Sequence, residues 1–232
     1  MLKAQVNFSA ALAAALLLNA CSPANSTPSA EGATTTGTAA GAKPTDAVVT
    51  AADKGRIAGD STAKTWVVIA SDFQCPFCKQ WHSESYKQFV DEYVRTGKVK
   101  VAYINFPLGQ HVNAVPTAQG AMCAGAQNRF WQYHDALFES QSKWAKLSQP
   151  RPVMDSIARL VGVNFAEWSK CVDSDKMLPL IFADRDRAAA GGVQSTPSFL
   201  IGGTVIPGAQ PLSAMRALLD STIARDKRTS SR

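Results

Sequence analysis

Residues 47–224 of this 232-residue chain predict an α/β fold in two unequal halves, strand–helix–strand first and strand–strand–helix last, with a helical insertion at about 107–192 between them. Three observations carry that prediction. Thr65-Trp-Val-Val-Ile-Ala-Ser71 is a continuous apolar run rich in β-branched residues, of strand length, leading straight into a helix signature. Lys98 to Phe106 alternates Val99, Val101 and Tyr103 against Ala102, Ile104 and Phe106, as a strand packed on both faces does. Far downstream, Phe199-Leu-Ile201 and Thr204-Val-Ile206 flank Gly202-Gly203, a compact hairpin signal.

Before the domain come two segments of other kinds. Residues 1–21, MLKAQVNFSAALAAALLLNAC, read as an export signal: Lys3, then an apolar core from about Val6 to Leu18 that is too short to span a bilayer. Leu18-Asn19-Ala20-Cys21 resembles the lipobox of bacterial lipoproteins, which implies acylation of Cys21 and a lipid anchor to the membrane. Ordinary cleavage near Ala20 or Ala24 is the alternative. Ser22 rather than Asp after Cys21 implies, by the same resemblance, the outer membrane. Residues 22–46 are built from Ala, Thr, Ser, Gly and Pro, with too little apolar surface to offset the entropy of ordering. They suit a flexible tether reaching roughly 25–30 Å.

The first helix of the domain opens at Cys75-Pro76-Phe77-Cys78. Pro76 suits a helix's first position, where its missing N–H costs nothing. Phe77, Trp81, Tyr86, Phe89, Val90, Tyr93 and Val94 then recur at near-helical spacing until Thr96-Gly97. Cys75 therefore sits at the helix mouth and Cys78 one turn inside. Partial positive charge and unpaired N–H groups at that end stabilise a thiolate, so Cys75 should ionise below an ordinary cysteine, at about 8.5. Cys78 is the natural resolving partner, and Phe77 offers an apolar lip to substrate. Strand, helix and strand in this order imply a parallel strand pair. Within the insertion, helical patterns lie in Ala114–Phe138, in Val153–Val161, and from Asn164 as a cap to Cys171, with a last one ending at Gly191-Gly192. Leu212, Met215, Leu218, Leu219 and Ile223 mark a closing helix. The formal net charge of +6 falls to +5 without Lys3, and part of it sits in the basic tail 225–232, which reads as a frayed, solvated end rather than a nucleic-acid surface.

SDFQCPFC, the segment CAGAQNRFWQYHDALF at 123–138 and GVQSTPSFLIGG at 192–203 together resemble the DsbA-like family of thioredoxin-fold thiol:disulfide oxidoreductases, in that family's order. The resemblance covers about residues 55–222. It implies a thioredoxin-like fold and a periplasmic enzyme that forms or exchanges disulfides in exported, cysteine-containing proteins. No cofactor is needed, and a quinone-linked membrane partner would reoxidise it. Cys75 matches the nucleophile, Cys78 the resolving thiol, and Pro197 the cis-proline facing them, with Thr196 before it. The backbone beside that proline pairs, in the family, with an extended substrate. One departure stands out: where family members often carry a buried acid, six residues before the nucleophile, this chain has Ile69. Asp72, at the strand's exit, is a solvated residue, a proton relay, or without a role.

Two further cysteines remain, Cys123 and Cys171. Pairing them keeps the Cys75–Cys78 unit intact and would stabilise the insertion by roughly 4 kcal/mol in the chain-entropy model. Two buried free thiols are the alternative. Of the histidines, His82 is one turn past Cys78, and His134 is expected to pack or hydrogen-bond within the insertion; no His–Cys spacing matches a structural zinc site. Other readings on the same fold are a reductase or isomerase, a metal-binding or redox-inert envelope adaptor holding Cu(I) on Cys75 and Cys78, and a glutathione-dependent transferase, against which Cys78 argues.

Overall fold

The structure, a computed structural model, describes residues 46–230. The expected export signal, the expected lipidation at Cys21 and the expected tether up to residue 45 lie outside the described residues, as do the last two residues. A helix absent from the sequence-based expectation opens the domain: α1 (Ala47–Gly55), whose N-cap Asp46 accepts from the Val48 N–H at 2.7 Å. A two-residue strand follows, β1 (Ile57–Ala58). Then come β2 (Thr65–Ser71) and β3 (Val99–Asn105), within a residue or so of their expected bounds, and much later β4 (Ser198–Ile201) and β5 (Thr204–Pro207). The sheet order is β1-β3-β2-β4-β5, with β2 parallel to β3 and antiparallel to β4. The β4–β5 turn places Gly202 and Gly203 at φ 59° and 87°, the mirror-image turn that suits a two-residue hairpin. A side chain at Gly202 would also collide with Thr222, 2.8 Å from where its Cβ would sit.

The helix joining β2 to β3 is not a regular α-helix. It starts as α2 (Pro76–Trp81), widens into a π turn (His82–Tyr86), returns as α3 (Lys87–Phe89) and widens again at Val90–Val94. Its buried stripe explains this. Trp81, Ser85, Phe89 and Tyr93 recur every four residues, and in a regular helix each such step drifts by about 40°. Two wide turns cancel the drift and keep the stripe on the sheet, against Val67, Ile69, Phe199 and Met215.

In the insertion, the expected single pattern over Ala114–Phe138 is two helices, α4 (Ala114–Gly125) and α5 (Phe130–Glu139). They part at Asn128, whose φ of 59° few other side chains tolerate. A short α6 (Gln141–Trp144) follows, then α7 (Arg151–Leu160), α8 (Phe165–Asp173) and α9 (Leu178–Ala190). Every residue of α4 from Thr117 to Gly125 is buried, so α4 is the axis of the insertion. Gly55 lets α1 lie against it: a Cβ there would come 2.3 Å from the Gly125 carbonyl oxygen. Arg56 and Asp184 form a buried ion pair between the start of β1 and α9, and Asp184 also accepts from the Asn105 side chain at 3.1 Å. The closing helix α10 (Leu212–Ser230) corrects one expectation: residues 225–230 of the basic tail are helical, not frayed. Asp226 accepts from the Thr65 hydroxyl at 2.8 Å and fastens that end to β2.

Candidate active site

Cys75 is the N-cap residue of α2, in extended conformation, with Pro76 in the helix's first turn. Cys78 lies one turn inside, and both are free thiols, each 2% exposed. The bond between Thr196 and Pro197 is cis, and the Thr196 carbonyl lies 3.4 Å from the Cys75 thiol, which donates to it. β4 begins immediately after, so the loop comes to the thiols on the strand beside β2. The Thr196 hydroxyl is buried with no partner among the described residues.

The two thiols sit in opposite electrostatic situations. Hydrogen bonding from Cys78 does most to hold the Cys75 thiol down, to about 6; Thr196 and the N–H groups of Cys78 and Phe77 add to it, and together they outweigh burial. Burial, then the neighbouring Cys75, pushes the Cys78 thiol well above the ordinary range, although Ser71 and the Asp72 backbone bond to it. The pair is thus split into a thiolate and a retained thiol. Phe77, between them, is 60% exposed.

Asp72 is not solvated: it is 2% exposed. It lies in the turn that joins β2 to α2, closed by the Cys75 N–H on the Asp72 carbonyl. Its carboxylate accepts from the Gln74 N–H at 2.7 Å, from the Leu108 N–H at 3.0 Å, and meets His111 Nδ1 at 2.7 Å. Burial raises its affinity for a proton despite these three partners. The position six residues before Cys75 is Ile69, buried in β2.

Sequence reasoning missed the groups that hold this corner still. Gln141 in α6 donates to the carbonyls of Phe73 and Cys75 at 2.7 and 3.0 Å. The Gln74 side chain donates to Ala145 and accepts from the Asn113 N–H. Phe73 stacks on Tyr103 with ring centroids 5.0 Å apart. Single polar residues at helix starts carry no periodic signal; only Gln74, inside the motif, was within reach. Cys123 and Cys171 stand apart from the thiols, bonded to each other between α4 and α8.

The thioredoxin family model matches residues 51–221. The Rickettsia felis protein named "Putative protein-disulfide oxidoreductase" is 26% identical over 186 residues, 80% of this chain and 66% of that protein. Bacillus anthracis "Probable disulfide bond formation protein D" is 28% identical over 150 residues, 63% of this chain and 69% of that protein. This chain spans less than two thirds of the length of the rickettsial relatives it matches. In three dimensions it resembles Wolbachia pipientis α-DsbA1, with a TM-score of 0.67 and 20% identity over 75% of this chain and 93% of the other. Oxidised BdbD from Bacillus subtilis gives 0.66 and 19% over 74% and 94%. These likenesses account for the sheet order and for the helical insertion between the halves, and the family match covers both: the chain belongs to the thioredoxin family, in the DsbA-like form of its fold.

Proposed function

We propose that this protein is a thiol:disulfide oxidoreductase of exported proteins, with Cys75 as the sulfur that meets clients and Cys78 as the resolving thiol. One observation carries the reading: two free thiols one turn apart at a helix mouth, Cys75 as the N-cap beside the Thr196 carbonyl and Cys78 buried behind it, with the first held down to about 6 and the second raised by burial. In the oxidising direction a client thiolate attacks Cys75 of the Cys75–Cys78 disulfide. The sulfur–sulfur bond breaks, and its electron pair goes to Cys78, which takes up a proton. A second client thiolate then attacks the client sulfur of the mixed disulfide and expels Cys75 as its stable thiolate. Two electrons have moved from client to enzyme, and a quinone-linked membrane partner removes them.

The backbone leading into the buried Thr196-Pro197 pair, exposed at Gln194 and Ser195, offers the extended client a strand edge, and exposed Phe77 gives it an apolar contact. Asp72, with its raised proton affinity and with His111 leading towards the surface, is the relay that supplies and removes the Cys78 proton. Lipidated Cys21 would hold the domain at the membrane, on the periplasmic side, through the tether. Among the described residues no helix is long and apolar enough to cross a membrane.

The test is a Cys78→Ala trap. Without the resolving thiol, clients remain joined to Cys75 and are identified by mass from purified envelopes. A well-expressed variant that captures none would overturn the reading. The reduction potential then fixes direction: a value near about −120 mV marks an oxidant, one near about −270 mV a reductant.

A further inference from the structure

Below the redox helix, the π turn that follows α2 meets α5. There His82 Nε2 lies 3.2 Å from Asp135 Oδ1, and His134 Nδ1 lies 2.8 Å from the same oxygen. One ligand atom from each of the three residues falls within 4.8 Å of the others. We propose that His82, His134 and Asp135 form a zinc site that clamps the redox helix to the helical insertion.

The donor set fits that ion. Two imidazoles and one carboxylate, with water in a fourth position, are a tetrahedral Zn2+ set, whereas Ca2+ and Mg2+ favour oxygen alone. Zinc ligands at about 2.0–2.2 Å in a tetrahedron stand about 3.3–3.5 Å from one another. The His82–Asp135 contact is already close to that spacing, the His134–Asp135 contact opens by about half an ångström to reach it, and the two ring nitrogens, within 4.8 Å of each other, draw together around the ion. Each ring nitrogen now sharing a proton with Asp135 passes it to its other nitrogen, so binding requires no change in total charge on the two rings.

The rings are already fixed in place. His82 stacks on Tyr86 at 5.0 Å and packs on Phe138 at 5.1 Å. His134 is enclosed by Trp131, Tyr103 and Phe138 at 5.2, 5.4 and 5.0 Å. Little conformational freedom remains to be lost on binding. The Asp135 side chain keeps 42% of its surface in solvent, which gives the ion its way in and the water ligand its place.

The competing description is a plain hydrogen-bonded bridge between the two helices. Untagged, oxidised protein separates the two, because the Cys75–Cys78 disulfide leaves no thiol to take the metal, and the outcome is independent of the catalytic reading. Calorimetry with ZnCl2 should give one ion per chain and a rise in melting temperature, with no response to CaCl2 or MgCl2. His82→Gln, which keeps a hydrogen-bonding side chain, and Asp135→Asn should each weaken zinc at least about tenfold and abolish the rise. Cobalt(II) added to the wild type should show the intense visible bands of a tetrahedral site, a measurement that needs no variant. Zinc binding that is absent, or unchanged in both variants, overturns the proposal, as does a cobalt spectrum identical to that of the free ion.

Discussion

Cys75 and Cys78 stand three residues apart at the start of one helix, while Cys123 and Cys171 join two helices across 48 residues of chain. Burial does not separate the pairs, since all four cysteines are less than 10% exposed. What differs is what faces the sulfur. Cys75 receives a helix's first N–H groups and a neighbouring thiol, and its own thiol lies 3.4 Å from the Thr196 carbonyl, to which it donates when protonated. Cys123 lies inside α4 and Cys171 inside α8, where the backbone N–H groups are already taken by their own helices. A cysteine pair thus becomes reactive through the unsatisfied donors around it, and becomes a brace where the backbone offers none.

Removing each pair in turn is the most severe test of that contrast. Cys75→Ser should lower turnover at least about a thousandfold in the oxidation of a dithiol peptide, since nothing else at the helix mouth can accept the client's attack. Cys123→Ala with Cys171→Ala should leave the rate per folded molecule nearly unchanged and cost up to about 4 kcal/mol of stability, read by urea unfolding. Activity lost in the second variant while it remains folded would mean that the two pairs exchange electrons, and the comparison would fail.

A smaller effect is expected from the acid beneath the site. If Asp72 carries the Cys78 proton, Asp72→Asn should slow reoxidation and mixed-disulfide resolution about a hundredfold while leaving alkylation of Cys75 nearly as fast as before. The amide keeps the acceptor oxygen for the Leu108 or Gln74 N–H groups but cannot carry a proton. Both rates falling together would mark Asp72 as a support for the loop alone.

How much of this was readable beforehand follows the range of the forces involved. β2 and β3 were legible because a buried strand declares itself in a short apolar run, and the thiols were legible because a helix mouth has local markers in Cys75-Pro76. Gly202-Gly203 announced the hairpin for the same reason. Asp72 could not be judged: its burial is imposed by Leu108 and His111, 36 and 39 residues away. The Arg56–Asp184 pair, 128 residues apart, and Gln141 under the active-site loop are likewise products of tertiary contact. The π turns were foreshadowed by the four-residue spacing of Trp81, Ser85, Phe89 and Tyr93, which includes a serine that no hydrophobic pattern counts.

The mildest test titrates the thiolate itself. In reduced protein, thiolate absorbance and alkylation should rise with a midpoint at about 6, so the alkylation rate falls about tenfold for each pH unit below that. Cysteines of the unfolded chain ionise near about 8.5. Because the folded value is the lower one, Cys75 contributes stability that is complete above the unfolded range and disappears as pH falls through about 6. The oxidised protein has no such group, so the melting temperature of the reduced form should gain on that of the oxidised form between pH 5 and about 8. Cys78→Ala removes the largest cause of the shift and should move the midpoint upward. A midpoint that stays put would assign the thiolate's stability to the helix mouth and Thr196 alone, and would leave Cys78 a resolving thiol with no part in activating its partner.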